Sequence, residues 1–140
     1  LTHLVVPCTY LSVVGDADPD PAKIATLTDE VGASGLYLCT FDTLASDSTM
    51  HGRLFAPGAG IREDPVTGTA SGAVGAYLDA FDAFETTPEQ MRFEQGHFLD
   101  RPGTVHVAVS DSVQVGGRAV TAVDGSLVVP AGEDDEILEI

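Results

Sequence analysis

The stretch PGAGIREDPVTGTASGAVGAYLDAFDAF, residues 57–84, decides how this chain is expected to fold. It opens as a glycine-rich loop, passes through an acidic turn and becomes a run of small apolar residues. The run predicts a helix. Ala, Val, Leu, Tyr or Phe stands at nearly every position that is not Gly, Ser or Asp. Apolar groups on all sides imply a helix buried on all sides. Gly72 and Gly75 each cost about 1 kcal/mol relative to Ala inside a helix. That cost makes sense where other backbone elements pack closely against it. The expectation is a central helix wrapped by strands.

The loop feeding this helix is the candidate site. Asp64-Pro65 signals a turn, because the Pro65 ring keeps Asp64 out of the helical region. Thr67 is placed at the N-cap, with Gly68, Thr69 and Ala70 in the first turn. The first N–H groups of a helix lack internal partners and carry the positive end of its dipole. Gly68 has no side chain to block them, so a carboxylate or phosphate fits there. The plainer alternative is an ordinary capped helix with Asp64 serving the turn, and one Gly-rich loop does not separate the two.

Outward from this stretch, the 140 residues suffice for one domain with a real core, and residues 1–140 read as a single domain. No run of eighteen apolar residues exists, so no transmembrane helix is expected. The opening LTHLVVPCTYLSVVG has no basic region or cleavage pattern of a signal peptide. It begins as if inside a strand, as a piece of something longer would. Acidic residues number 22 against six basic ones, a net charge of −16. That sign argues against nucleic acid and against an anionic membrane surface as partners. Cys8 and Cys39 lie in apolar, strand-like segments outside any Cys-x-x-Cys pair. They read as buried free thiols of a reducing, cytoplasmic protein. His3, His51, His97 and His106 show no ligand spacing, so no metal site is indicated.

In chain order, residues 2–6 and 10–14 read as short strands around Pro7. Asp20 and Pro21 carry helix-start chemistry for a surface helix over 21–31, which Gly32 stops. Residues 35–41 and 49–55 read as strands, with Arg53 of the second facing solvent. After the central helix, strands follow at 90–95, 104–109 and 112–115. Gly116-Gly117 signals a tight turn, and Asp124-Gly125 a hairpin between 118–123 and 126–129. The last ten residues read as an acidic surface tail. The expected fold is α+β, an antiparallel barrel-like sheet wrapped around a buried helix.

Residues 53–73, RLFAPGAGIREDPVTGTASGA, resemble the second-half signature of the PhzF-like phenazine biosynthesis family. EQGHFLDRPG (94–103) and VQVGGRAV (113–120) fit the same family in the same order. The resemblance extends over essentially the whole chain, and its E-D-P-x-T-G-T-A piece is specific. It implies a fold like diaminopimelate epimerase, with two pseudo-symmetric domains around a cleft, of which this chain is the C-terminal one. It implies an isomerase without metal or organic cofactor, in which a carboxylate moves a proton between carbons of a small dihydroaromatic hydroxy-amino acid. Asp64 would then meet the substrate, and Gly68 and Thr69 would hold a substrate carboxylate by backbone N–H groups, with Thr67 and Ala70 lining the same turn. Asp64 beside a helix start suits orienting an ammonium or hydroxyl better than acting as the acid. Related two-thiol racemases carry Cys where this chain has Asp64, which argues against thiol chemistry.

The family's catalytic glutamate and its A-x-G-N-P and C-G-H motifs belong to the N-terminal domain and are absent here. Glu63, Glu85 and Glu94 are not in equivalent positions. The chain therefore expects an N-terminal partner domain of the same fold. The alternative is a non-catalytic domain that binds small carboxylates or serves assembly. A nucleotide site is disfavoured because no Gly-Lys-Ser/Thr triplet follows the loop. A face left open by the absent domain favours self-association, and a homodimer is expected, as is usual in the family.

The acidic composition also reads as adaptation to high salt, where counterions screen self-repulsion. The melting temperature should rise in a series from low to molar KCl, and a flat series removes this reading.

Overall fold

The computed structural model describes residues 1–129. Among these, seven strands form one sheet: β1 (His3–Pro7), β2 (Gly35–Thr40), β3 (Met50–Ala56), β4 (Ile61–Asp64), β5 (Met91–Gln95), β6 (Gly103–Val109) and β7 (Val113–Gly116). Three helices accompany them: α1 (Leu11–Gly15), α2 (Pro21–Glu30) and α3 (Gly68–Ala80). The strand order is β1-β2-β3-β5-β6-β7, with β4 also paired to β3. The pairs β1/β2 and β3/β5 are parallel and the rest antiparallel.

β3 lies at the middle and is buried along its whole length. Successive strand side chains point to opposite faces. Met50 and Leu54 therefore enter a core with Tyr37, Phe93, Val107 and the α3 residues Ala70, Val74 and Leu78. Phe55 points the other way and packs with Ile24 of α2 and Leu36. α3 thus covers one face of the sheet, and α1 and α2 the other. A Cβ on Gly75 would press on Val107, and one on Gly72 on Val115. The small residues of α3 therefore admit valine side chains of β6 and β7, rather than another backbone.

The α+β class stands, but the sheet is open and mixed. It ends at β1 and β7, and α3 lies against one face with Thr69, Ala73 and Tyr77 exposed. The segments 118–123 and 126–129 have no strand partner and are exposed, with Val120 at 90% and Leu127 at 87%. Their backbone groups, exposed as they are, are left to water rather than to a ladder. The sharp turn also falls elsewhere. β7 ends at Gly116, and the β6–β7 hairpin closes at Ser110–Ser112 through Ser110 N–H to Ser112 O, 3.2 Å. The acidic-tail reading concerns residues outside those described.

Helix α2 starts as read. The Asp20 carboxylate accepts from Ala22 N–H at 2.9 Å, Pro21 takes the first position, and Gly32 follows the end at φ +66°. The 10–14 run is a correction: it forms α1, not a strand. Asp42 Oδ2 accepts the Leu11 N–H at 2.9 Å, and Arg53 Nη1 donates to the last carbonyls, those of Val14 and Gly15. These tertiary partners override the β propensity of Val13 and Val14.

Arg53 itself is the second correction. It points away from its apolar neighbours, as alternation requires, but the face it points to is covered. It is 7% exposed. Its Nε and Nη2 pair with both Glu63 oxygens at 2.8 Å, and Nη1 donates to the carbonyls of Val14, Gly15 and Ala17. The guanidinium also lies over the rings of Phe55 and Phe98. One cation therefore joins α1, β3 and β4. Glu63→Ala strands a buried charge and should lower the urea unfolding free energy by about 3 kcal/mol. A loss below about 1 kcal/mol is what a solvent-facing pair would give.

Candidate functional site

The second edge of β3 is shared. Its first half pairs with β5, Gly52 opposite Gln95. Its second half pairs with β4, Leu54 opposite Asp64. The ends of β4 and β5 therefore meet, which brings Asp64 and Gln95 together across 31 residues of sequence. Gln95 Nε2 donates to the Asp64 carbonyl at 2.7 Å and to Thr67 Oγ1 at 3.0 Å. Thr67 N–H donates to Gln95 Oε1 at 3.4 Å, and Thr67 Oγ1–H to Asp64 Oδ2 at 2.6 Å.

The same loop is clamped by close packing. A side chain on Gly96, at φ +83°, would collide with the carbonyl oxygens of Pro65 and Arg101. A Cβ on Gly103 would run into Val66. The Asp64–Thr67 turn is thus held from beneath by the end of β5 and the start of β6.

Asp64 is half-buried at the end of β4. Thr67 is the N-cap residue, with extended φ and ψ, yet its side chain makes no cap bond to α3; its Oγ1 accepts from Gln95 Nε2 and donates to Asp64 Oδ2. The first i→i−4 bond of α3 runs from Ser71 N–H to Thr67 O, 3.3 Å. The N–H groups of Gly68, Thr69 and Ala70 precede it and lack an intrahelical acceptor. Gly68 borders a cavity of about 600 Å³ whose lining includes Val66, Thr104, Val115 and Arg118. Asp64, Thr67, Thr69 and Ala70 do not line that cavity. Thr69 is exposed, and Ala70 turns its methyl into the core. Asp64 and Thr67 are therefore joined, while the other three positions share only the helix start.

Sequence reading missed Gln95. Its signal was available, because Gln95 falls on the same strand face as Met91 and Phe93, where a polar side chain must find partners. It also missed a second buried network behind the site. Glu94, 1% exposed, accepts from the N–H groups of Leu44 and Ala45, from Ser48 Oγ at 2.9 Å and from His51 Nδ1 at 3.0 Å. A carboxylate can only accept, so Nδ1 carries the His51 proton and Nε2 is the bare nitrogen. That Nε2 is buried and unpartnered among the described residues. Burial lowers the His51 pKa, and the Glu94 hydrogen bond only partly offsets it. For Glu94, burial acts upward, but the donors from Leu44, His51, Ser48 and Ala45 outweigh it and hold the carboxyl below its ordinary value.

Cys39 is buried and Cys8 half-buried, and both are free. Burial, with Cys8 nearby, pushes the Cys39 thiol up to about 11, which disfavours a reactive thiolate. Among the described residues no cluster of three or more His, Cys, Asp or Glu could hold a metal ion. No described helix is long and apolar enough to cross a membrane.

A family model described as phenazine biosynthesis-like protein matches residues 1–125. An uncharacterized isomerase of Clostridium acetobutylicum is 31% identical over 136 residues, covering 91% of this chain and 45% of the relative. The uncharacterized isomerase YfhB of Bacillus subtilis is 32% identical over 127 residues, covering 89% and 41%. The chain spans less than half the length of these relatives. The crystal structure of the Bacillus anthracis phenazine biosynthesis protein of the PhzF family matches with a TM-score of 0.64 at 29% identity, over 79% of this chain and 40% of that one. A predicted epimerase from Pseudomonas aeruginosa matches at 0.57 and 29%, over 87% and 43%.

The His51–Glu94 pair ties stability to pH. Below 6.5, the ordinary histidine value, an unfolded chain binds a proton on His51 that the folded chain refuses. Below 4.5 the same holds for Glu94. The urea unfolding free energy should therefore fall from about pH 6.5 to 5, and again below 4.5. His51→Asn, which keeps a donor near Nδ1, should flatten the first decline. A remainder is expected from His3, whose pKa is also lowered by burial and the N-terminal charge.

Proposed function

The chain belongs to the phenazine biosynthesis-like protein family, and on that premise we propose that it is the C-terminal half of a cofactor-independent isomerase. The reaction is proton transfer at carbon of a small carboxylate-bearing metabolite, of the dihydroaromatic hydroxy-amino acid kind. Asp64 orients the substrate's ammonium or hydroxyl. The N–H groups of Gly68 and Thr69 receive its carboxylate, with Thr67 and Ala70 shaping the turn. The general acid/base is a glutamate of the preceding domain, which has the same fold. In that longer protein further strands close the sheet around α3, and two copies form a homodimer.

The observation that carries this reading is the short bond from Thr67 Oγ1 to Asp64 Oδ2 at the start of α3. It ties a carboxylate to the N-cap residue of α3, the helix whose first amide groups have no helical acceptor. A substrate bearing both an ammonium and a carboxylate matches that pair of opposite polarities. Arg118, bordering the same cavity as Gly68, adds a cation on the carboxylate side. The isomerase names of the relatives agree with proton transfer as the reaction class.

A second reading is favoured by the state of the glutamates. Glu63 is bound to Arg53, Glu94 is enclosed by four donors, and Glu85 is exposed beyond α3. None is placed to take a proton from a molecule at Asp64. By itself the chain would then bind small carboxylates without turning them over.

The experiment joins the chain to its N-terminal domain and follows deuterium uptake from D2O into a dihydroaromatic hydroxy-amino acid. Asp64→Ala should cut kcat/KM by about a hundredfold or more, whereas Asp79→Ala, near the far end of α3, should leave it unchanged. Equal effects remove Asp64 from the mechanism. Deuterium uptake by residues 1–140 alone removes the need for a second domain.

A further inference from the structure

We propose that Gln95 is a positioning residue for Asp64, acting through the Thr67 hydroxyl to set which carboxylate oxygen is presented to a bound molecule. The inference rests on the reading of Asp64 as the acidic group of the site. Gln95 is 1% exposed, so its amide has no water to turn to. Its orientation is dictated by its partners. The Asp64 carbonyl can only accept, so Nε2 must face it; the Thr67 N–H can only donate, so Oε1 must face that. A flipped amide would set two acceptors and two donors against each other.

With Nε2 fixed, its second proton goes to Thr67 Oγ1. That hydroxyl now accepts from Gln95, and its single proton has one strong acceptor in reach, Asp64 Oδ2 at 2.6 Å. The chain of bonds therefore runs one way, from Gln95 amide to Thr67 hydroxyl to Asp64 carboxylate. Each link polarises the next, from the buried Gln95 and Thr67 out to the half-buried Asp64. It holds Oδ2 and leaves Oδ1 without a hydrogen-bond partner among the described residues. A carboxylate with one oxygen tied and one free has a defined direction, which a freely rotating one lacks.

The test needs no substrate. In the full chain labelled with ¹³C and ¹⁵N, the Asp64 side-chain carboxyl carbon and the Gln95 side-chain amide are followed by NMR at constant pH. Thr67→Val should move the Asp64 carbon and one of the two Gln95 amide protons. Thr67→Ser, which keeps the hydroxyl, should restore both. Gln95→Leu should move the Asp64 carbon in the same direction as Thr67→Val, and the double variant should add nothing to Thr67→Val alone. Ser112→Ala, in the distant β6–β7 turn, should leave these signals in place. An Asp64 signal that stays put in Thr67→Val, or additive shifts in the double variant, overturns the proposal. Should Gln95→Leu fail to fold, the Thr67 pair decides on the Gln95 amide proton, and an unmoved proton overturns it. The two readings fail separately. An Asp64→Ala enzyme that keeps its turnover removes the catalytic role and leaves the NMR outcome intact, whereas unmoved signals remove the positioning role whatever the turnover.

Discussion

Each peptide group along the outer edge of β3 can pair with a neighbouring strand once. Met50–Gly52 give that capacity to β5, and Leu54–Ala56 give it to β4. The division forces two strand ends to abut, and a buried strand end must satisfy its backbone groups. Gln95 answers that demand for β4 by bonding the Asp64 carbonyl. The bare Cα of Gly96 lets the Pro65 carbonyl come close, and the missing side chain of Gly103 makes room for Val66. The start of α3 is placed by these contacts. Without the divided edge there would be no reason for Asp64, Thr67 and Gln95 to share a point in space.

Local patterns carried much of this into the sequence. The small-residue run 68–80, the Asp20-Pro21 start of α2 and the alternation at Met91 and Phe93 are all short-range signals, and each element formed where they stand. Asp64 and Thr67 were legible because a turn and a helix start lie within four residues. Gln95 was not assigned a role, because its importance depends on which strands share an edge, and pairing between distant segments leaves no local periodicity. Arg53 was misjudged for a related reason. Alternation says which way a side chain points, not what another segment has placed there, and the α1 carbonyls arrive from 39 residues away. The 118–129 segment has strand-like composition, yet it pairs with no strand among the described residues, and composition does not dictate pairing.

The buried charges and the surface charges obey different rules. Arg53 and Glu63 form a bidentate pair with carbonyls completing the cation's bonds, and Glu94 is saturated with donors. These groups specify one arrangement, because any displacement leaves a charge without partners in a poor solvent for it. The acidic surplus on the surface acts collectively and is screened by salt. Specific geometry near Asp64 and nonspecific charge elsewhere can therefore coexist in a chain of net charge −16.

Pro65 takes on a further meaning in light of the divided edge. The β3–β4 hairpin is the local pairing, joined by a short turn, and it can close long before β5 arrives from beyond α3. Left to lengthen, that hairpin would zip past Leu54 and occupy the positions that β5 needs. Proline has no N–H to offer a ladder. Placed directly after Asp64, it stands where the β4 ladder stops, and Met50–Gly52 pair with β5 instead. One imino ring thereby marks the point where the edge of β3 passes from one partner strand to the other.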